Sequence, residues 1–373
     1  MQDAILRALE TWPRNGVPKN IKAWLICTGM NSFRDRYRKD SRLQPLAGDE
    51  VETSVPGLMI ESGGPDDDVL RLIFMCCHPA IAIENQLALT LKMVMGFSLE
   101  EIASALMVPG KTLEKRISRA KTKITRAGIS FQLPLDSMLE NRLTPVQFVL
   151  YLIFNERYYG SSGELINHEL CRQAITLARS LCRSYPTPEN FGLLALMLFH
   201  DARATARVDG NQELVTLDKQ DRALWKKSQI READVLLQKA LRLHQSGFYQ
   251  IQAAIAGLHS QAATAAETDW QQIVGLYQLL LRVRTDPVIA LNYSVALMFA
   301  GELSKATGIL DNLESEISSY GPFHAARAKS HELLGNTAAM KKSLQRAASL
   351  SGSAQEKRHY QIKLSSLEDS ENC

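Results

Sequence analysis

Asn85–Arg126, NQLALTLKMVMGFSLEEIASALMVPGKTLEKRISRAKTKITR, decides the fold. It reads as a helix, a tight turn, a second helix, a short turn and a third helix. Leu87, Leu91 and Val94 mark the apolar face of the first helix, and Gly96 ends it. Ser98 opens the second helix with Glu101 three residues on, the spacing of a capping box in which each residue satisfies the other's backbone N–H. Ile102 and Leu106 carry that helix inward, and Met107-Val108 forms the turn. Pro109 suits a helix start, where its missing N–H would have had no partner. On the third helix Leu113, Ile117, Ala120 and Ile124 fall on one stripe at i, i+4, i+7 and i+11. The remaining faces hold Lys111, Lys115, Arg116, Arg119, Lys121, Lys123 and Arg126 against a single acid, Glu114. A basic face alone is ordinarily a solvated surface. On the last helix of a helix-turn-helix pattern it is the layout of a major-groove reader.

Beyond this stretch the expectation is an all-α chain. Helical periodicity recurs over 144–158, 165–184, 188–206, 219–245, 247–259, 269–284, 287–300, 303–318, 322–334 and 337–349, and no segment alternates as a strand would. At 373 residues, two or three domains are expected. No apolar run approaches the roughly 20 residues of a membrane span. The first residues, MQDAILRALETWP, lack the basic start and apolar centre of a secretion signal. Six cysteines without paired CxxC spacing suit reduced thiols, so a cytoplasmic protein without membrane attachment is expected.

The net charge of +3 conceals segregation. Residues 1–126 hold 18 Lys/Arg against 15 Asp/Glu, and the rest of the chain holds 25 of each. Ala47–Asp68 contains seven acids and no base, between two basic segments. Two anion-binding modules joined by a non-binding tether would have this pattern. The first module, residues 1–43, reads as a helix from Asp3 to Trp12, a turn-rich loop to Asn20, and a helix from Ile21 to Arg42. Residues 44–68 are the acidic linker, with Asp66, Asp67 and Asp68 placed to cap a helix over Val69–Cys77.

The tail carries a repeat. Gly301 and Gly335 lie 34 residues apart, the tetratricopeptide period, each after an apolar helix and before a second one. Ala306 occupies the small-residue position after the first glycine, and Met340 takes that place in the second unit. Stacked helix pairs of this kind bind proteins on a concave face.

Leu70–Ile124, LRLIFMCCHPAIAIENQLALTLKMVMGFSLEEIASALMVPGKTLEKRISRAKTKI, resembles region 4 of the bacterial extracytoplasmic-function sigma factors. The subgroup with a long C-terminal helical extension is resembled by CCHPA and by five tail segments. These are FNERYYGSSGE, LALMLFHDARATARVDGNQELVTLDKQDRALW, YQIQAAIAGLHSQA, TDWQQIVGLYQLL and DPVIALNYSVA. The resemblance spans essentially the whole chain. It implies a domain order of region 2 (1–43), linker (44–68), region 4 (69–128), helical extension (135–260) and tetratricopeptide-like repeats (261–365). It implies core RNA polymerase and promoter DNA as partners, with a regulatory protein as a further partner of the tail.

Trp24–Arg38, WLICTGMNSFRDRYR, resembles the part of region 2 that reads the opened minus-ten element. Asn15, Lys19 and Asn20 in the loop before it, and Asn31, Arg34, Arg36 and Arg38 within it, would contact the strand. Tyr37 is placed to stack on a base and Trp24 to pack inside. The third helix would enter the major groove of the minus-thirty-five element through Lys111, Thr112, Lys115, Arg116, Arg119 and Lys123. Arg most often reads guanine and Lys most often holds phosphate. Family members carry further region 2 helices before the position matching Met1. Two readings follow: either Met1 is not the true start, or region 2 is shortened, in which case polymerase binding is weakened and the apolar faces over 3–12 and 21–30 are uncovered. Gly110 departs from the polar helix former usual there and loosens the helix start by up to about 1 kcal/mol.

Cys76-Cys77-His78 invites a metal or nucleophile reading, but its apolar flanks and the lack of a second ligand cluster favour a buried helix end. No phosphate loop, paired-acid site or Ser/His/Asp pattern stands out, so neither enzyme activity nor a metal or cofactor is expected. The reading from another class is a helical-repeat adaptor whose DNA module no longer initiates transcription.

Overall fold

The computed structural model describes Thr11 and residues 65–106, 108–129, 139–155, 164–209, 213–351 and 354–371. The fold is all-α. Among the described residues the only pairing of extended segments is an isolated antiparallel bridge between Val208 and Leu214. The chain divides after Ser184 into two compact units. Apart from Thr11, which is helical, the helices expected over 3–12 and 21–42 and the acidic linker as far as residue 64 lie outside the described residues.

The first unit contains α1 (Pro65–Cys76), α2 (Ile83–Met93), α3 (Leu99–Ala105), α4 (Gly110–Arg126), α5 (Leu139–Asn155) and α6 (Glu164–Ser184). α1 starts four residues earlier than its expected boundary, so Asp66, Asp67 and Asp68 form its first turn rather than preceding it. Its core positions Leu70, Leu72, Ile73 and Phe74 have no solvent exposure. α1 packs on α2, α5 and α6, and α2 also packs on α4 and α5.

Leu143, Val146, Val149, Leu150, Ile153 and Phe154 of α5 are all buried. Arg142 ties α5 to α1: its Nη2 donates to the Phe74 carbonyl at 2.8 Å, one of the last four carbonyls of α1, which the helix itself leaves unpaired. The unit boundary thus falls inside the 135–260 segment that the sequence assigns to one domain. The reason is that α5 packs on α1 and α2 before it as well as on α6 after it.

The second unit contains α7 (Pro188–Ala202), α8 (Lys227–Leu241), α9 (Phe248–Gln261), α10 (Trp270–Val283), α11 (Pro287–Phe299), α12 (Leu303–Ile317), α13 (Gly321–Leu333), α14 (Thr337–Leu350) and α15 (Ala354–Glu371). α7 is its centre, with Phe191 to Phe199 buried without interruption between α8 and α9. Thr187 caps α7, accepting from the Asn190 N–H at 3.3 Å. Glu189 in the first turn of α7 reaches across to the start of α9, where it accepts the N–H groups of Tyr249 (3.0 Å) and Gln250 (3.2 Å). Gly247 leaves the space for that carboxylate, since a Cβ there would fall 2.2 Å from Glu189 Cδ.

The helix expected over 219–245 begins only at Lys227, after two short 3-10 turns at Leu217–Lys219 and Arg222–Leu224. Asp221 accepts from the Ala223 N–H at 2.9 Å and so holds the second turn. The approach to α8 is anchored by Asp201 at the end of α7, which accepts from Lys226 Nζ (3.2 Å) and Gln229 Nε2 (3.0 Å). Arg203 is 7% exposed, donates to His200 Nδ1 at 3.0 Å and lies 5.9 Å from the Trp225 ring centroid.

The 34-residue recurrence holds at the level of individual hydrogen bonds. The Gly301 N–H donates to Met298 O and the Glu302 N–H to Leu297 O; Gly335 donates to Glu332 O and Asn336 to His331 O. Each bond in the second set is the first shifted by one period. Both sets are Schellman turns, which require a left-handed residue, and Gly301 (φ +85°) and Gly335 (φ +70°) supply it.

Candidate nucleic-acid interface

The α2–α3–α4 segment has the geometry that its residues dictate. Ser98 N–H donates to Glu101 Oε2 at 2.7 Å and Glu101 N–H donates to Ser98 Oγ at 3.1 Å, a complete capping box at the start of α3. Leu91, Val94, Met95 and Phe97 fill the space beneath, and Leu87 is half-buried. α4 packs on both α2 and α3 through one stripe. Leu113 and Ala120 have no exposure, Ile117 has 6%, and Ile124 is half-buried at the end of the stripe.

The opposite faces of α4 carry the charge. Lys111, Thr112, Lys115, Arg119 and Lys123 are exposed, and Arg116 is half-buried. The structure therefore brings all six positions of the expected minus-thirty-five contact set onto one helix. Lys121 and Arg126 are exposed on the same helix. None of its seven basic side chains makes an ion pair or a hydrogen bond among the described residues, and the first turn holds no acid. An uncommitted row of cations on a helix whose other side is locked in a core has the charge and rigidity to track a polyanion. The expected minus-ten residues Asn15, Lys19, Asn20, Asn31, Arg34, Arg36 and Arg38 lie outside the described residues.

α4 begins at Gly110 with Pro109 as N-cap, and no side chain caps it. A Cβ at Gly110 would meet nothing within 4 Å. Gly110→Ala is expected to stabilise this unit by up to about 1 kcal/mol. A rise in its thermal midpoint checks this, and a fall would show that the glycine is needed for its shape.

The Cys76-Cys77-His78 corner closes the other end of the unit. Both thiols are fully buried. Cys77 Sγ lies 3.5 Å from Thr90 Oγ1, joining α1 to α2. Burial pushes the Cys77 thiol up to about 12, despite the Thr90 contact and nearby Arg142, so it is a thiol rather than a nucleophilic thiolate at neutral pH. His78 accepts from the Ala80 N–H at 3.1 Å through Nδ1, and burial lowers its pKa. Gln86 holds the corner by donating to the carbonyls of His78 (3.1 Å) and Ile81 (2.7 Å). Among the described residues no group of three or more His, Cys, Asp or Glu is placed to hold a metal, and no helix is long and apolar enough to cross a membrane.

Sequence reasoning did not single out Arg142. Its tie to α1 spans 68 residues of sequence, and no local pattern announces it.

Residues 142–241 match a family of unknown function, DUF6596. This match crosses the boundary between the two units, from α5 through α8. No solved structure matches the chain. An uncharacterised protein of Rhizobium meliloti (strain 1021) is 38% identical over 374 residues, covering 98% of this chain and 88% of that protein. At that identity and coverage this chain belongs to the same family as the Rhizobium protein.

Proposed function

We propose that this chain is a promoter-recognition subunit of bacterial RNA polymerase, of the extracytoplasmic-function sigma-factor type, acting in the cytoplasm without catalytic chemistry of its own. The observation that carries the reading is α4: a helix held by Leu113, Ile117 and Ala120 against a capped α3, with seven basic side chains that make no ion pair or hydrogen bond among the described residues. Core polymerase and promoter DNA are its partners in this reading. The second unit, with its tetratricopeptide-like helix pairs, regulates the factor or binds a further protein.

Transcription from a genomic DNA library by core polymerase plus this chain tests the reading. Start sites sharing one two-part upstream element are the expected result. No promoter-directed transcript, together with capture of a protein partner by the second unit, would favour the adaptor reading.

Within the proposal, Arg119→Ala should weaken binding to such an element about tenfold and relax its sequence preference, because a bidentate Arg–guanine contact is worth about 1–3 kcal/mol. Arg119 is exposed, so melting should not change. Arg116→Ala should act likewise. Lys123→Ala should weaken all DNA sequences alike and reduce the salt slope by about one. Unchanged binding in all three variants would remove α4 from the interface.

A further inference from the structure

The second unit holds a cavity of about 250 Å³ between α10, α11 and the two 3-10 turns before α8. Its walls are aromatic. Trp270 from α10 stacks on Phe299 from α11, with centroids 4.5 Å apart and planes at 14°, and Tyr277 lies about two turns further along α10. Phe299 is 42% exposed, an apolar ring left open beside the cavity rather than packed away. His259 meets the edge of Trp270 at 5.1 Å and closes the back.

Two charged groups, Asp218 and Arg222, line the cavity four residues apart. Arg222 is fixed in place: Nη1 donates to the carbonyls of His259 and Ala262, both at 2.5 Å, and the guanidinium lies 4.6 Å from the Trp225 ring centroid. Its Nε and Nη2 donors make no hydrogen bond among the described residues. Asp218, from the preceding 3-10 turn, lines the same cavity and makes neither hydrogen bond nor salt bridge among the described residues. Glu267, the acid whose charge acts on Arg222, accepts from Thr264 Oγ1 at 2.9 Å. From α11, the Asn292 amide completes the lining without a protein partner of its own among the described residues.

Size and charge together select a ligand class. Pockets for drug-sized molecules run from roughly 300 to 1,000 Å³, so this one takes a single ring system with a short polar head rather than a nucleotide or a polycyclic compound. A purely apolar ligand would cover the half-buried Arg222 and leave its Nε and Nη2 donors without a partner, which is costly. A simple aromatic acid would satisfy Arg222 and face Asp218 with like charge. A ligand carrying both an ammonium and a carboxylate on a short stem satisfies both groups.

We propose that this cavity binds a free aromatic amino acid, its ring against Trp270, Tyr277 and Phe299, its carboxylate on Arg222 and its ammonium on Asp218. The second unit thereby becomes a ligand-binding unit in addition to any role it has with macromolecules. Binding is measured without polymerase or DNA, so its failure and the failure of the promoter reading are separate results.

The experiment is isothermal titration of the full chain with L-tryptophan, L-tyrosine and L-phenylalanine, alongside indole, indole-3-propionate, tryptamine and N-acetyl-tryptophanamide. At least one free amino acid should bind at one site per chain, at least tenfold tighter than ligands lacking either charge, the usual scale for a charge-assisted hydrogen bond. Asp218 is exposed and holds no structural bond, so Asp218→Asn should fold normally, weaken the amino acid about tenfold and leave indole-3-propionate unweakened. Phe299→Ala should weaken every ring ligand. Arg222→Gln also removes two carbonyl partners and is therefore interpreted only with an unchanged melting profile. No heat with any amino acid, or equal affinity for indole and tryptophan, overturns the proposal. So does an Asp218→Asn variant that binds as the parent does.

Discussion

A chain ended after residue 134 is expected to lose the cooperative unfolding of its first unit, whereas a chain ended at Ser184 keeps it. The cut at 134 lies after the helix-turn-helix and before the extension, the natural place to divide the protein by sequence pattern. It would remove α5, whose Leu143, Val146, Val149, Leu150, Ile153 and Phe154 are buried, and it would break the bond from Arg142 to Phe74 O. Burying one such side chain contributes about 1.5–3 kcal/mol. Even if only half of that burial lies against α1 and α2, the loss is on the order of 5–9 kcal/mol, comparable to the whole stability of an ordinary domain. Circular-dichroism melts of the two truncations check this. A sharp transition in the shorter chain would show that α1–α4 stand alone. The consequence for testing the proposed regulation is direct: the second unit should be deleted as 185–373. Deleting 135–373 would disrupt the first unit itself and report nothing about regulation.

The second unit is expected to lose about 2 kcal/mol between pH 7 and pH 5 through His259 alone. Burial, then the charges of Arg203 and Arg222, lower this imidazole from 6.5 to about 4. Its folded pKa is depressed, so above about pH 6.5 both states are neutral and the full stability is present. As pH falls from 6.5 to 4, the unfolded chain takes up a proton that the folded one refuses, and stability is lost. His200, lowered well below its ordinary value by burial and by Arg203, Arg207 and His259, adds in the same direction. His331 and His359 do so more weakly. The carboxyls of Asp234 and Glu356, raised by burial, act the other way. Urea midpoints of the parent and of His259→Asn at pH 7 and pH 5 provide the test. The parent should shift more than the variant, and equal shifts would mean that His259 titrates normally.

Much of the first unit could be read from local pattern. The capping box at Ser98 and Glu101, the buried stripe of α4 and the burial of Cys76 and Cys77 each follow from residues within a turn or two of one another. So do the Schellman turns at Gly301 and Gly335. What the pattern did not carry was long-range. α5 looks like the start of an extension because it follows a break, yet its apolar face is completed by helices more than fifty residues earlier. The segment 217–226 has helical composition, but Asp221 caps a 3-10 turn there and Arg222 is drawn to carbonyls at 259 and 262. α15 escaped because AQEKRHYQIKLSSLEDSE shows no clean apolar stripe, although it packs on α14. The amino-acid cavity is assembled from four segments, and none of them carries a recognisable motif alone.

The paired Schellman turns bear on how this part of the chain can change length. Each turn offers the same donors and acceptors at the same offsets, so a cut in one and a join at the other leaves every backbone group at the junction with a partner. A whole 34-residue block can therefore be excised or duplicated without creating a new kind of junction. The α7 region has no such freedom, because Glu189 bonds across to the start of α9 and Asp201 to the start of α8. Gain and loss of segments is thus confined by chemistry to the end of the chain where the register repeats.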